Sequence, residues 1–160
     1  MVRPAASFRP TVADDYPLIC DLVQSAEDLF LFWPSGAWPL TPKQLERLAR
    51  ERIELTAVVV DGKVAGFSNL YGAEPGEFAF IGNVVVDPKL RGRGIGRELM
   101  RHMMALCRNY GPEARLSVFA ENRPALLLYL SLGFRPYAAT VLEDPSGAAV
   151  VQLEMAVRLD

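Results

Sequence analysis

Cysteine and histidine are nearly missing from this sequence of 160 residues, which has two cysteines, Cys20 and Cys107, and a single histidine, His102. The cysteines stand far apart with no metal-ligand spacing around either, which argues against a disulfide framework and against a zinc site. Both read as small core residues, and no metal is expected. With one histidine, placed a turn after Glu98 on the polar side of its segment, a Ser-His-Asp triad has little to be built from, and His102 reads as solvated. Long apolar runs are missing too. No stretch approaches the roughly 18 apolar residues of a membrane span, and 1–10 carries no run of signal length, so a cytoplasmic location without a membrane partner is expected. Nor is there an excess of positive charge. Seventeen basic against 19 acidic residues leave a net charge of −2, whereas nucleic-acid binders are usually strongly basic. Nucleic acid is not an expected partner, and any anion site must be local.

What is plentiful is apolar. With 51% hydrophobic residues and no repeat, linker or low-complexity block, the chain suits one domain over 1–160. A short strand is expected over 7–10 and a helix over 12–24, with Tyr16, Ile19, Cys20 and Val23 on one face. An aromatic, proline-rich loop follows over 29–40, then a helix capped by Thr41 with Pro42 in its first position, ending near Arg52. Apolar runs over 55–60 and 64–71 flank Asp61-Gly62, a hairpin turn signal. The run over 77–87 reads as a central strand covered on both faces, interrupted by Gly82-Asn83, where a bulge is expected. Leu99, Met100, Met103, Leu106, Cys107 and Tyr110 make one helical stripe over 97–110. A buried strand over 116–120 precedes a helix capped by Asn122 and stopped by Gly133, and strands over 137–141 and 150–157 close the chain.

The stretch "RGRGIGR", from Arg91 through Gly92, Arg93, Gly94, Ile95 and Gly96 to Arg97, breaks the usual rules for a helix start. The first amides of a helix lack internal partners, and the aligned peptide dipoles add about half a positive charge there. Cations are unfavourable at that end, yet arginines crowd it, and no Ser, Thr, Asp or Asn immediately precedes it as a cap. An external anion resolves the conflict. Glycines let backbone amides approach phosphate oxygens closely, so a phosphate or pyrophosphate cradle is the simplest reading. A dinucleotide fingerprint would need glycine where Arg97 stands, and a nucleoside-triphosphate loop would need Gly-Lys followed by Ser or Thr. Neither pattern is present.

"VVVDP" followed by Arg91-x-x-Gly94-x-Gly96 resembles the acyl-CoA-binding motif of the GNAT superfamily of N-acetyltransferases. Asn122-x-x-Ala125-x-x-Leu128-Tyr129-x-x-x-Gly133-Phe134 resembles the family's second motif at every marked position. The resemblance covers essentially the whole chain in element order. It implies an α/β (α+β) fold with a central mixed, mostly antiparallel sheet flanked by helices, and acetyl-CoA as co-substrate. It further implies that backbone groups along Val84, Val85 and Val86 meet the pantetheine arm, that amides from Arg91 to Arg97 hold the pyrophosphate, and that Asn122 and Tyr129 face the thiol end. On periodicity alone Tyr129 is a core aromatic; the second motif makes it the general acid.

The expected function is transfer of an acetyl group from acetyl-CoA to a primary amine by direct attack, the acceptor being a small molecule or a peptide. An acyl-CoA-binding sensor without transferase activity is the alternative. Phe30, Trp33 and Trp38 read either as packing or as a wall of the acceptor site. Asn83 reads equally as a lining residue of that site or as a satisfied bulge amide. Glu27, Asp28, Glu74 and Glu77 are candidate proton acceptors, none singled out by a motif. The acceptor's identity and the oligomeric state stay open, a homodimer among the options.

Overall fold

The computed structural model describes residues 5–160; the opening four residues, part of the stretch expected to carry no signal, lie outside it. Strand β1, Ala6–Pro10, leads through a 3-10 turn at Ala13–Asp15 into helix α1, Tyr16–Leu22. This helix is shorter than the expected 12–24, and Asp15 is the reason for its late start. Its carboxylate accepts from both terminal nitrogens of Arg9 at 2.8 and 2.9 Å and from the Val12 amide at 2.8 Å, tying the turn to β1 before the helix can begin.

Where the aromatic content of 29–40 predicts a loop, the structure begins with a helix, α2, Ala26–Phe32. Ser25 caps it by accepting from the Asp28 amide at 3.0 Å, and Glu27 and Asp28 complement its positive end. Leu29 and Phe32, one turn apart, are buried; the unbroken apolar run from Leu29 to Trp33 conceals that period. Helix α3, Pro42–Glu51, starts as expected, with the Thr41 hydroxyl accepting from the Gln44 amide.

Strands β2, Ile53–Val60, β3, Lys63–Glu74, and β4, Phe78–Val86, form an antiparallel meander. Asp61 and Gly62, at φ of 51° and 76°, make the two-residue turn between the first two. Helix α4, Ile95–Cys107, begins two residues earlier than its apolar stripe suggests. Strand β5, Glu113–Phe119, helix α5, Arg123–Ser131, and the hairpin of β6, Arg135–Glu143, with β7, Ala149–Arg158, complete the chain. The strands form one sheet in the order β1-β2-β3-β4-β5-β7-β6. All its pairs are antiparallel except β4 with β5. This is the mixed, mostly antiparallel sheet expected.

Helices cover both faces of the sheet. On one, Leu99, Met100, Met103 and Cys107 of α4 are fully buried against Ile81 and Leu116, each large side chain contributing roughly 1.5–3 kcal/mol of apolar burial. On the other, Ile19, Leu45 and Leu48 of α1 and α3 pack with Phe67 and Val85. Both cysteines are free thiols. His102 departs from the solvated reading: its ring stacks on Phe8 at 4.6 Å, and burial lowers its pKa. The Phe8 side chain comes from β1, which lies far from this helix in sequence, so helical periodicity holds no trace of the contact.

Candidate active site

β4 and β5 pair in parallel from Phe78 opposite Glu113 to Ile81 opposite Leu116, and there the pairing stops. The bulge in β4 accompanies the parting. Its partners on β3 step from Asn69 opposite Gly82 to Phe67 opposite Val85, one residue more on β4 than on β3. Asn83 absorbs the extra residue at φ 49°, a left-handed conformation that asparagine tolerates better than most residues. Its side chain is fastened on both sides: Nδ2 donates to the Phe32 carbonyl at 3.0 Å and Oδ1 accepts from Asn69 at 2.9 Å. Asn83 therefore both satisfies the bulge and lines the opening beside it, and it ties α2 to the sheet.

Between the diverging strands lies a cleft of about 730 Å³. Val84, Val85 and Val86 form one wall, and Leu116, Ser117, Val118 and Phe119 the other. At the end beyond Val86 the cleft meets the start of α4. Gly94 occupies the cap position at φ 84°, ψ 3°, and no side chain caps the helix. The conflict read in the sequence is thus real in space: the first amides of α4 have no capping acceptor, and Arg91 and Arg97 stand beside them with Gly92, Gly94 and Gly96 on the cleft lining. Arg97 is held by donating to the Ser131 hydroxyl at 2.8 Å. The other two residues of the stretch are not on that lining. Arg93 is exposed, and Ile95 is 1% exposed in the core.

Asn122 and Tyr129 reach the cleft from α5. Asn122 holds the cap position, yet its side chain makes no capping hydrogen bond, contrary to the expectation. Its ψ of 73° departs from the extended geometry that aims a cap side chain at the helix amides. The Tyr129 ring packs edge-on against Phe134 at 6.1 Å. The residue is 6% exposed, and burial pushes its hydroxyl up to about 12.

The residues assigned to an acceptor wall separate. Trp33 is buried and lines the cleft. Phe30 stacks on Phe119 at 4.6 Å, behind that wall, and does not line it. Trp38 is 47% exposed and does not line it either. Of the four carboxylates, Asp28 alone is on the lining, while Glu74 and Glu77 are exposed around the β3-β4 turn. Sequence reasoning passes over Arg52, Tyr71 and Ser117, which all line the cleft. Arg52 looks like an ordinary cation at a helix end, and Tyr71 and Ser117 look like strand residues. Only the sheet brings them together.

A mixed sheet split between two parallel strands, with a glycine-rich, uncapped helix start at one end of the split and a buried tyrosine on the same lining, makes a cleft whose free amides and open strand edges suit an anionic ligand. The family model "Acetyltransferase (GNAT) family" matches residues 22–134, and the chain belongs to that family. It is 41% identical over 71 residues to the N-alpha-acetyltransferase RimI of Mycobacterium tuberculosis, covering 44% of this chain and 43% of that protein. It is 40% identical over 90 residues to the mycothiol acetyltransferase of Acidothermus cellulolyticus, covering 55% of this chain and 27% of that one. The chain thus spans less than half the length of either relative. Among solved structures, the ribosomal-protein-alanine N-acetyltransferase of Brucella melitensis superposes with a TM-score of 0.80 at 19% identity, over 96% of this chain and 99% of that one; at that identity the likeness shows the fold.

Proposed function

We propose that the chain is an acetyl-CoA-dependent N-acetyltransferase, working as one domain over 1–160 in the cytoplasm on a small-molecule or peptide amine. The observation that carries this reading is the uncapped start of α4, with Gly94 at φ 84°, opening into a strand-lined cleft that also holds a buried tyrosine. The names of the two relatives described above, both acetyltransferases, support it. The cleft fits the co-substrate by its donor set. The amides at the helix start and the side chains of Arg91 and Arg97 suit a pyrophosphate, and β4 beyond Ile81, still paired with β3 but no longer with β5, offers the backbone groups of that open side to an amide-bearing arm. Among the described residues no group of His, Cys, Asp or Glu is arranged to hold a metal, and no helix is long and apolar enough to cross a membrane.

Bound acetyl-CoA supplies a thioester that an amine attacks directly, so no nucleophilic side chain is needed. The protein's part is to orient the two reactants, worth up to several kcal/mol, and to manage charge. β4 backbone donors near the split polarise the carbonyl, Tyr129 keeps a proton for the departing sulfur, and Asp28 is the carboxylate available on the lining to receive one from the amine. The test is release of free thiol from acetyl-CoA across a panel of amines, with the product identified by mass. Amine-dependent release is expected. A rise in melting temperature with CoA but no amine-dependent release would replace transfer by ligand sensing.

A further inference from the structure

Arg52 stands at the end of the cleft away from the glycine-arginine loop. It directly precedes Ile53, which lies opposite Leu70, and Leu70 in turn lies opposite Ile81. From Ile81 to Val86, where β4 ends on the side of the loop, the strand runs roughly 17 Å at about 3.3 Å per residue. The guanidinium carbon sits 4.3 Å over the Tyr71 ring. That ring packs on Gly82 so closely that a Cβ there would fall 2.6 Å from it. The cation is therefore one ring's breadth from the point where β4 and β5 part.

Arg52 has no ion pair and no hydrogen bond among the described residues, and its Nε is buried without a partner. Glu51, its neighbour in the chain, acts on it only at a distance, and neither Glu51 nor Glu154, whose charge acts on Tyr71, makes an ion pair with it. By contrast, Arg9 and Arg115 each hold a carboxylate. Arg52 is half-buried, and leaving even one guanidinium N–H buried and unpaired is costly, so the arrangement suits an anion brought from outside. The strand distance separates Arg52 from the phosphate end. Three arginines against one aspartate on the lining also disfavour a polycationic acceptor.

We infer that Arg52 receives a carboxylate of the acceptor, so that the substrate is an amine bearing a carboxylate at the spacing of an α-amino acid. This rests on the transferase reading. A guanidinium's planar fork matches a carboxylate through two parallel hydrogen bonds, and one ring's breadth between cation and split suits a carboxylate on the carbon that carries the amine.

The test measures thiol release with the twenty common L-amino acids and, beside leucine and phenylalanine, with 3-methylbutylamine and phenethylamine, which lack the carboxylate. The better amino acid is expected to exceed its carboxylate-free partner at least tenfold in kcat/KM. Arg52→Met should bring that ratio near one, chiefly through KM, while CoA raises the variant's melting temperature as it does the parent's. Arg52→Lys, which keeps charge without the fork, should recover part of the preference. If the parent uses the carboxylate-free amines as well as the amino acids, the inference is overturned and the transferase reading stands. Calorimetric titration of the CoA-saturated protein with the same amino acids and their N-acetyl products needs no turnover. Binding abolished by Arg52→Met supports the carboxylate site even if no acetyl group moves, and no binding by any of them overturns it.

Discussion

Replacing Tyr129 with phenylalanine removes one oxygen from the cleft and keeps the ring that packs on Phe134. Burial holds the hydroxyl at about 12, so toward a thiolate in water, whose conjugate acid has a pKa near 8.5, it would be too weak an acid by roughly 5 kcal/mol. The comparison with water is the wrong one. In this same protein burial raises the thiols of Cys20 and Cys107 to about 11 and about 12, so a thiolate expelled into the desolvated cleft is matched to Tyr129 and transfer becomes nearly level. General acid catalysis of that kind contributes about 10² to 10⁴ in rate, or roughly 3 to 5.5 kcal/mol of barrier. Stability should barely move. The hydroxyl lies at the cleft and makes no hydrogen bond among the described residues, so removing it breaks none. Tyr129→Phe is therefore expected to melt near the parent's temperature, to bind CoA nearly as well, and to lose at least a hundredfold in kcat. Because the hydroxyl keeps its proton up to about 12, the parent's rate should rise as the acceptor amine deprotonates and show no fall from Tyr129 before pH 10. A fully active phenylalanine variant, with chemistry rate-limiting, would refute the reasoning.

Gly96→Glu should separate ligand binding from folding. A Cβ at Gly96 meets only Leu128 and Val86 methyl groups at 3.6 and 3.9 Å, and a carboxylate in the first turn of α4 complements its dipole, so the ligand-free protein should gain about 1 kcal/mol. The same carboxylate would repel a pyrophosphate, and the stabilisation of about 2.7 kcal/mol expected from CoA at 100 times its Kd should vanish; a thermal shift equal to the parent's would remove the helix start from the binding site. Asp15→Asn probes the tie between β1 and the first turn. The Arg9 hydrogen bonds hold the Asp15 carboxyl below its ordinary 3.8, so its contribution is fully present above about pH 4 and is lost as pH falls through the folded value. The variant should be less stable by about 2 kcal/mol at pH 7, with the gap closing on acidification. A gap unchanged down to pH 2.5 in urea melts would show that the ion pair is not its source.

Local conflicts and periodicities were enough for much of the site. The arginines crowding an uncapped, glycine-rich helix start, the break at Gly82-Asn83 and the stripe from Leu99 to Cys107 each concern residues within a turn or a strand of one another, where spacing and dipoles act directly. Periodicity placed Tyr129 in the core, where it is buried, and the second motif pointed to the cleft, which it also lines. Helix α2 was hidden because the unbroken apolar run from Leu29 to Trp33 erases the period that Leu29 and Phe32 obey, although Ser25 and Asp28 carried its capping signal. Contacts distant in the chain decided the rest. Phe30 could not be told from Trp33 until α2 was docked on β4 through Asn83 and the Phe32 carbonyl. Arg52 became an unpaired cation in the cleft only once β2, β3 and β4 brought Tyr71 beneath it and Gly82 beside Tyr71. Sequence determined which residues wanted an anion at the helix start, because that preference is set by neighbouring peptide groups. Tertiary structure alone decided which side chains share the cleft, because burial and pairing depend on what distant strands bring alongside.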